Sequence, residues 1–330
     1  MQTEAQPRVP ATMTGEADGV RRGWRIRGPS VRASTAEVGG AVRVCALAAV
    51  RISRPDQVLL ILAVLSCGAV AGAELTTGGG HAETTEMTAI GAVVTLVAVS
   101  VHAANEFADV ETDARTVRTR FSGGSGALKT YGLGASFALR LAFAAGLMAV
   151  AGAVAGVAVG LWSVTVTVLL LGGLVGGWQY SVPPLALSRH GGGEVANALL
   201  GGLLLPVTGA AVVGAAVTTA AVQFVPFALL GFVNLLETQW ADRMADRAVG
   251  KRTLASRLSP RALRVGGAVA GIAAYGLSVL VQPAAVAAAG LFAAPLSVLG
   301  VWRLGRGAPG PSVAAMVVFL LAQGAAWATL

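Results

Sequence analysis

Nine apolar runs constrain this chain more than anything else in it. They lie near residues 56–74, 88–107, 136–157, 161–180, 194–213, 219–238, 263–281, 284–302 and 311–329, each close to the ~20 residues a helix needs to cross a bilayer. Only a turn at Gly160 separates the third from the fourth. Within hydrocarbon every backbone N–H and C=O must find its partner inside the protein, which leaves helices and closed barrels as the available folds. Barrel strands alternate apolar and polar residues over short segments, whereas these runs are long and continuous. They predict an all-α, polytopic membrane domain over residues 41–330, with nine transmembrane helices. Composition agrees: 55% of residues are hydrophobic and 12% charged, about half the charge usual in a soluble domain.

The segments between the runs predict how the domain sits. Residues 1–40 are polar and rich in Arg, Thr, Gly and Pro, without the apolar stretch that marks a secretory signal peptide. They read as a disordered basic tail on the cytoplasmic face. Residues 41–54 are apolar but punctuated by Arg43, Arg51 and Arg54, the pattern of a helix lying in the membrane interface. With a cytoplasmic amino terminus, the outer loops fall near 75–87, 158–160, 214–218 and 282–283, and none contains Lys or Arg. All 24 basic residues then lie in the tail, the inner loops or the inner helix ends, as the positive-inside rule requires. The chain is thus expected in the cell membrane, with Leu330 outside. The net charge of +8 is mostly this topology signal. Basic residues spread over membrane-adjacent loops, without interleaved aromatics, predict no nucleic-acid partner. Cys45 and Cys67 read as free thiols among apolar neighbours, and His81, His102 and His190 do not cluster into a zinc site.

Two acidic clusters end long apolar runs, where charge is costly and usually functional. The first runs from Asn105 and Glu106 through Asp109 and Glu111 to Asp113; the second holds Asp242 and Asp246, followed by Gly250-Lys251-Arg252-Thr253-Leu254. The expected topology puts both on the cytoplasmic side. On a helix, residues three, four and seven apart share a face, so Glu106, Asp109 and Asp113 point one way, as do Gln239, Asp242 and Asp246. Carboxylate and amide oxygens suit Mg²⁺, which binds through few carboxylates and keeps room for water and substrate phosphate. Two facing sets would hold ions that grip a diphosphate. The cations that follow them, Arg115, Arg118, Arg120 and Lys129, then Arg247, Lys251 and Arg252, are candidates to contact its oxygens. Gly123-Gly124-Ser125-Gly126 offers free backbone amides to the same anion. For Arg115, Arg118, Arg257, Arg261, Arg264, Arg303 and Arg306 the topology rule is explanation enough. It does not explain spaced aspartates.

At these residues the chain resembles the UbiA superfamily of intramembrane prenyltransferases. The family's NDxxDxxxD motif appears as Asn105-Glu106-x-x-Asp109-x-x-x-Asp113, with Glu where Asp is usual. Its DxxxDxxxG motif appears as Asp242-x-x-x-Asp246-x-x-x-Gly250. The sequences Gly250-Lys251-Arg252-Thr253-Leu254 and Phe121-Ser122-Gly123-Gly124-Ser125 are similar to the branch that prenylates 1,4-dihydroxy-2-naphthoate. Arg54-Pro55, and Tyr180-Ser181-Val182-Pro183-Pro184 leading to Arg189 and Gly193-Glu194, also fit. The resemblance covers roughly residues 51–330 and implies nine helices around a central cavity.

It further implies that Asp109, Asp113, Asp242 and Asp246 hold Mg²⁺ on a prenyl diphosphate, with Asn105, Glu106, Arg120, Lys129, Tyr180, Arg189, Lys251 and Arg252 binding substrate. Metal and cationic side chains would stabilise the departing diphosphate, and an apolar cavity would shield the allylic cation from water. A small aromatic or quinone-precursor acceptor would capture it. A terpene cyclase of the same fold, quenching the cation within its own chain, needs the same clusters and stays open as the alternative. An ion-coupled transporter would place charges near the bilayer midplane, and here they lie at one face.

Overall fold

The computed structural model describes residues 35–76, 79–81, 83–119 and 122–330. The basic tail expected over 1–40 lies outside the described residues as far as residue 34. Contacts divide the chain into Met1–Ala41 and Val42–Leu330. The described part of the first unit is the opening of α1 (Thr35–Ser53); everything below concerns the second.

Every regular element among the described residues is a helix. Arg54, in the left-handed region at φ 51°, turns the chain from α1 into α2 (Pro55–Leu75), which Pro55 opens. Proline is suited to a first helical turn because its missing N–H has no partner there anyway. Next come α3 (Thr84–Ala108), the short α4 (Val110–Arg115) and α5 (Ala127–Tyr131), then α6 (Ala135–Ala158) and α7 (Val164–Ser181). Gly160, at φ 77°, makes the turn between these last two. The short α8 (Leu187–His190) leads to α9 (Gly193–Asn197), which continues through a π-helical stretch, Ala198–Leu204, into α10 (Leu205–Val212). Then follow α11 (Val217–Thr238), α12 (Arg243–Ala248), α13 (Leu254–Arg257), α14 (Pro260–Val281), α15 (Ala284–Leu291), α16 (Ala294–Arg303) and α17 (Gly310–Trp327).

Eight helices are long and apolar enough to cross a membrane, counting Gly193–Val212 as one; α15 and α16 make a ninth span if taken together. The run expected to be a single helix over 284–302 bends by 42°. Pro295, in the first turn of α16, is the reason: it has no N–H for the carbonyl one turn back, so the ladder restarts. The chain is therefore an all-α, polytopic membrane protein.

Small residues set the packing. A Cβ on Gly68 would stand 2.0 Å from the Pro206 carbonyl oxygen, and one on Gly209 equally close to that of Leu65. Thus α2 and α10 touch backbone to backbone, the contact that small residues permit between helices in lipid. Buried Ala138, Ala142, Ala145 and Ala149 bring α6 against α3, where Ser100 donates to the Ala142 carbonyl at 2.8 Å. A core of Val64, Val207, Phe224, Phe227, Phe319 and Trp327 joins α2, α10, α11 and α17. Phe143, Leu147, Ile272 and Leu280 stay exposed, as expected of residues whose solvent is lipid.

Candidate active site

The acidic clusters meet where helices end. α3 stops at Ala108, and Asp109 caps it before α4 begins, so the first motif straddles a helix break rather than one continuous face. Asn105 Nδ2 donates to Asp109 Oδ2 at 2.9 Å and to Ser181 Oγ at 3.0 Å, tying the motif to the end of α7. In the second motif Asp242 precedes α12, and the Asp246 N–H donates to the Asp242 carbonyl at 2.9 Å, putting the aspartates one turn apart. Asp246 Oδ2 accepts from Thr253 Oγ1 at 3.1 Å.

A cavity of about 450 Å³ lies between the two motifs. Asp109, Asp113, Asp242, Asp246, Asn105, Tyr180 and Lys251 all line it. Lys251 Nζ stands 2.6 Å from Asp109 Oδ1 and 4.0 Å from Asp246 Oδ1, bridging the motifs. Tyr180 and Gln239 both line the cavity.

Other expected substrate contacts fall elsewhere. Glu106, 4% exposed, does not line the cavity: its carboxylate accepts from the Ser125 N–H at 2.9 Å and Ser125 Oγ at 2.6 Å, and pairs with Arg54 at 3.4 Å. The extra methylene of Glu is thus directed at the glycine loop. Lys129 is exposed on α5, and the Arg252 side chain is exposed while its N–H donates to the Arg189 carbonyl. Arg189 Nη2 donates to the Ala108 carbonyl at 2.8 Å, closing the end of α3. Arg120 lies outside the described residues.

The loop at 122–126 forms one wall. Gly124, at φ 62°, leaves no room for a side chain, since a Cβ would stand 2.0 Å from Asp113 Oδ2. Arg51 Nε donates to the Ser125 carbonyl at 3.0 Å and Arg118 Nε to that of Gly124 at 3.3 Å. Arg51, Arg54, Arg118, Ser188 and Thr253 also line the cavity; of these, the sequence marked only Arg118 as a candidate diphosphate contact. Arg118 sits among arginines that the topology rule already explains. Ser188 and Thr253 are short polar residues of a kind common in loops, and nothing in their spacing sets them apart.

The electrostatics are those of crowded, half-dry acids. Burial, then the charges of Asp109 and Glu106, push Asp113 up to about 7. Burial and neighbouring Asp246 push Asp242 up to about 6. Asp246 is raised too, chiefly by burial, against the opposing pull of Lys251 and Thr253. Asp242 Oδ1, Gln239 Oε1 and Ser188 Oγ are buried without a hydrogen-bond partner in the protein, which leaves them able to take an ion, a water or a ligand. Among the described residues no three His, Cys, Asp or Glu side chains close into a metal cluster by themselves. Carboxylates on facing walls, with coordination sites left over, nevertheless fit hard divalent ions that share their shell with phosphate and water.

Residues 63–322 match the UbiA prenyltransferase family. No curated protein matches the chain in sequence. Among solved structures, a digeranylgeranylglyceryl phosphate synthase is 12% identical with a TM-score of 0.62, over 87% of this chain and 99% of the other. A UbiA homologue from Archaeoglobus fulgidus, bound to DMAPP and Mg²⁺, is 16% identical with a TM-score of 0.58, over 86% and 99%. One from Aeropyrum pernix K1 is 16% identical with a TM-score of 0.61, over 82% and 97%. At these identities the structural likeness is one of fold.

Proposed function

This chain belongs to the UbiA prenyltransferase family, and from that premise we propose that it ionises an allylic prenyl diphosphate with Mg²⁺ and transfers the prenyl group to a small aromatic or quinone-precursor acceptor. The observation that carries the reading is the placement of Asp109, Asp113, Asp242 and Asp246 around one cavity, with Lys251 between them. The Archaeoglobus fulgidus homologue, which shares the fold, binds DMAPP and Mg²⁺.

Bound Mg²⁺ supplies charge neutralisation, lowering the cost of releasing diphosphate from the allylic carbon. The four aspartates would hold the ions. Asn105 orients Asp109 through a 2.9 Å hydrogen bond. Glu106 holds the glycine loop in place through Ser125, so the loop's backbone is fixed beside the departing diphosphate. Tyr180 and Gln239 line the cavity next to the reacting end, where they orient substrate. The motif set Gly250-Lys251-Arg252-Thr253-Leu254 favours an acceptor of the 1,4-dihydroxy-2-naphthoate class. Charge placement favours a cytoplasmic amino terminus, with the cavity opening on that side.

Purified protein incubated with geranyl diphosphate and Mg²⁺, with and without a panel of aromatic acceptors, tests the reading. A prenylated aromatic product that needs both the acceptor and the ion is expected. A cyclic hydrocarbon or alcohol formed without acceptor would overturn the transfer step in favour of cyclisation. Undiminished activity in an Asp109→Ala, Asp242→Ala double variant would overturn the ionisation step.

A further inference from the structure

The aspartates of the cavity have one paired cation among the described residues, and it belongs to the chain itself. The Lys251 ammonium lies 2.6 Å from Asp109 of the first motif and 4.0 Å from Asp246 of the second, with its side chain 7% exposed. Its backbone is pinned. The N–H donates to the Asp246 carbonyl at 2.8 Å, the carbonyl accepts from Ser256 Oγ at 3.0 Å, and Gly250 turns the chain ahead of it at φ 76°. Only the flexible stem and its ammonium are free to move. Arg51, Arg54 and Arg118, the other cations of the cavity wall, are directed instead at loop carbonyls and Glu106.

An ammonium and a divalent ion cannot share one carboxylate at contact distance without strong repulsion in a half-dry site. We propose that Lys251 is a built-in competitor of the divalent ion. Its ammonium neutralises Asp109 and Asp246 until a diphosphate offers a stronger counter-charge, and it then crosses to the diphosphate as the ion takes the carboxylates. Metal and diphosphate are thereby coupled: each makes room or charge for the other, and the coupling is reciprocal. An ion arriving alone must displace the lysine into a place with no partner for it. The inference rests on the reading that these carboxylates take a divalent ion.

The test uses the full chain, with Mn²⁺ as the probe and no diphosphate present. Binding is read from the electron paramagnetic resonance of free Mn²⁺ and from the Mn²⁺-dependent melting temperature. Lys251→Met is expected to bind Mn²⁺ at least about tenfold more tightly than the natural chain, and to gain the larger melting shift from it. Lys251→Arg, which keeps the charge, is expected to bind as the natural chain does. Should Lys251→Met not fold because Asp109 is left unpaired, Lys251→Gln gives the same readout with a neutral hydrogen-bond donor. Equal Mn²⁺ affinity in the charged and neutral variants overturns the lysine proposal while leaving the metal reading standing. Loss of Mn²⁺ binding in all of them, indistinguishable from Asp109→Asn, overturns the metal reading and the lysine proposal with it.

Discussion

Asp113 and Asp242 are raised from the ordinary carboxyl value of 3.8 to about 7 and about 6. Folding therefore makes both better proton holders, and the sign of every pH effect follows. Below about pH 4 they are protonated whether folded or not. Between about pH 4 and the folded values of about 6 and about 7, the unfolded chain releases these protons while the folded protein keeps them, so this contribution to the stability of metal-free protein falls progressively across that window and is gone above it. A divalent ion needs the ionised form and must expel those protons. Divalent affinity is therefore expected to climb roughly tenfold between about pH 6 and about pH 8 and to flatten above. Mn²⁺ titrations across that range measure it, and the melting shift given by Mg²⁺ should grow in parallel. An affinity flat with pH would mean that neither aspartate meets the ion. Asp109→Asn adds a check read without metal: with one like charge gone, the part of the stability loss that belongs to Asp113 should end at lower pH.

The glycine loop and the break at Asp109 show what an element adds to a residue. Gly124 adopts φ 62° with Asp113 Oδ2 against the missing side chain, whereas Gly132, at φ 64°, faces open space. Both would pay about the same left-handed backbone strain as Ala, roughly 1–2 kcal/mol. Only Gly124→Ala would push Asp113 aside. It is expected to lose at least about tenfold in divalent affinity and product formation, a 1 Å misplacement being enough for such losses, while Gly132→Ala keeps both. Equal behaviour of the two variants would dismiss the loop as a wall of the site. These elements also mark how far the sequence could be read. The apolar runs announce the helices because lipid leaves a chain no other choice. The aspartate spacing announces the two motifs because carboxylates so close to hydrocarbon need a reason. The direction of each side chain is less legible. Helical periodicity groups Glu106 with Asp109 and Asp113, but the helix ends at Ala108 and Glu106 turns to Ser125. Lys129 and Arg252 are near the motifs in sequence yet exposed, since a charge can follow a motif without facing it. The bend at Phe292–Ala293 was hidden by a continuous apolar run in which one proline was the only signal.

At the scale of the molecule, the cavity wall comes from alternate connections. Arg51 and Arg54 precede the first span; Asp109 to Ser125 follow the second; Ser188 lies between the fourth and fifth; Gln239 to Thr253 follow the sixth. Consecutive spans reverse direction, so these four connections share one side. The sequence marks the same side independently: no Lys or Arg occurs in residues 55–114, 141–188, 190–242, 265–302 or 307–330. The first four windows each hold a pair of spans and the connection on the far side; the last holds the final span alone. Two unrelated constraints, substrate charge and translocation, thus converge on one face. If that face is cytoplasmic, as basic loops require, the prenyl diphosphate arrives from the cytoplasm and the ninth span carries Leu330 outward. A periplasm-dependent phosphatase fused after Leu330 should be active and a fluorescent protein there dark. The pattern should reverse for fusions at Gly307, where the chain is still on the cavity side. A third fusion at Gly132, on the cavity side and ahead of the bent pair, separates the two ways of being wrong. Inversion at all three sites means that the whole domain is turned over. Inversion at Gly307 and Leu330 with Gly132 unchanged means that the bent pair α15 and α16 dips into the membrane and returns, leaving eight crossings in place of nine.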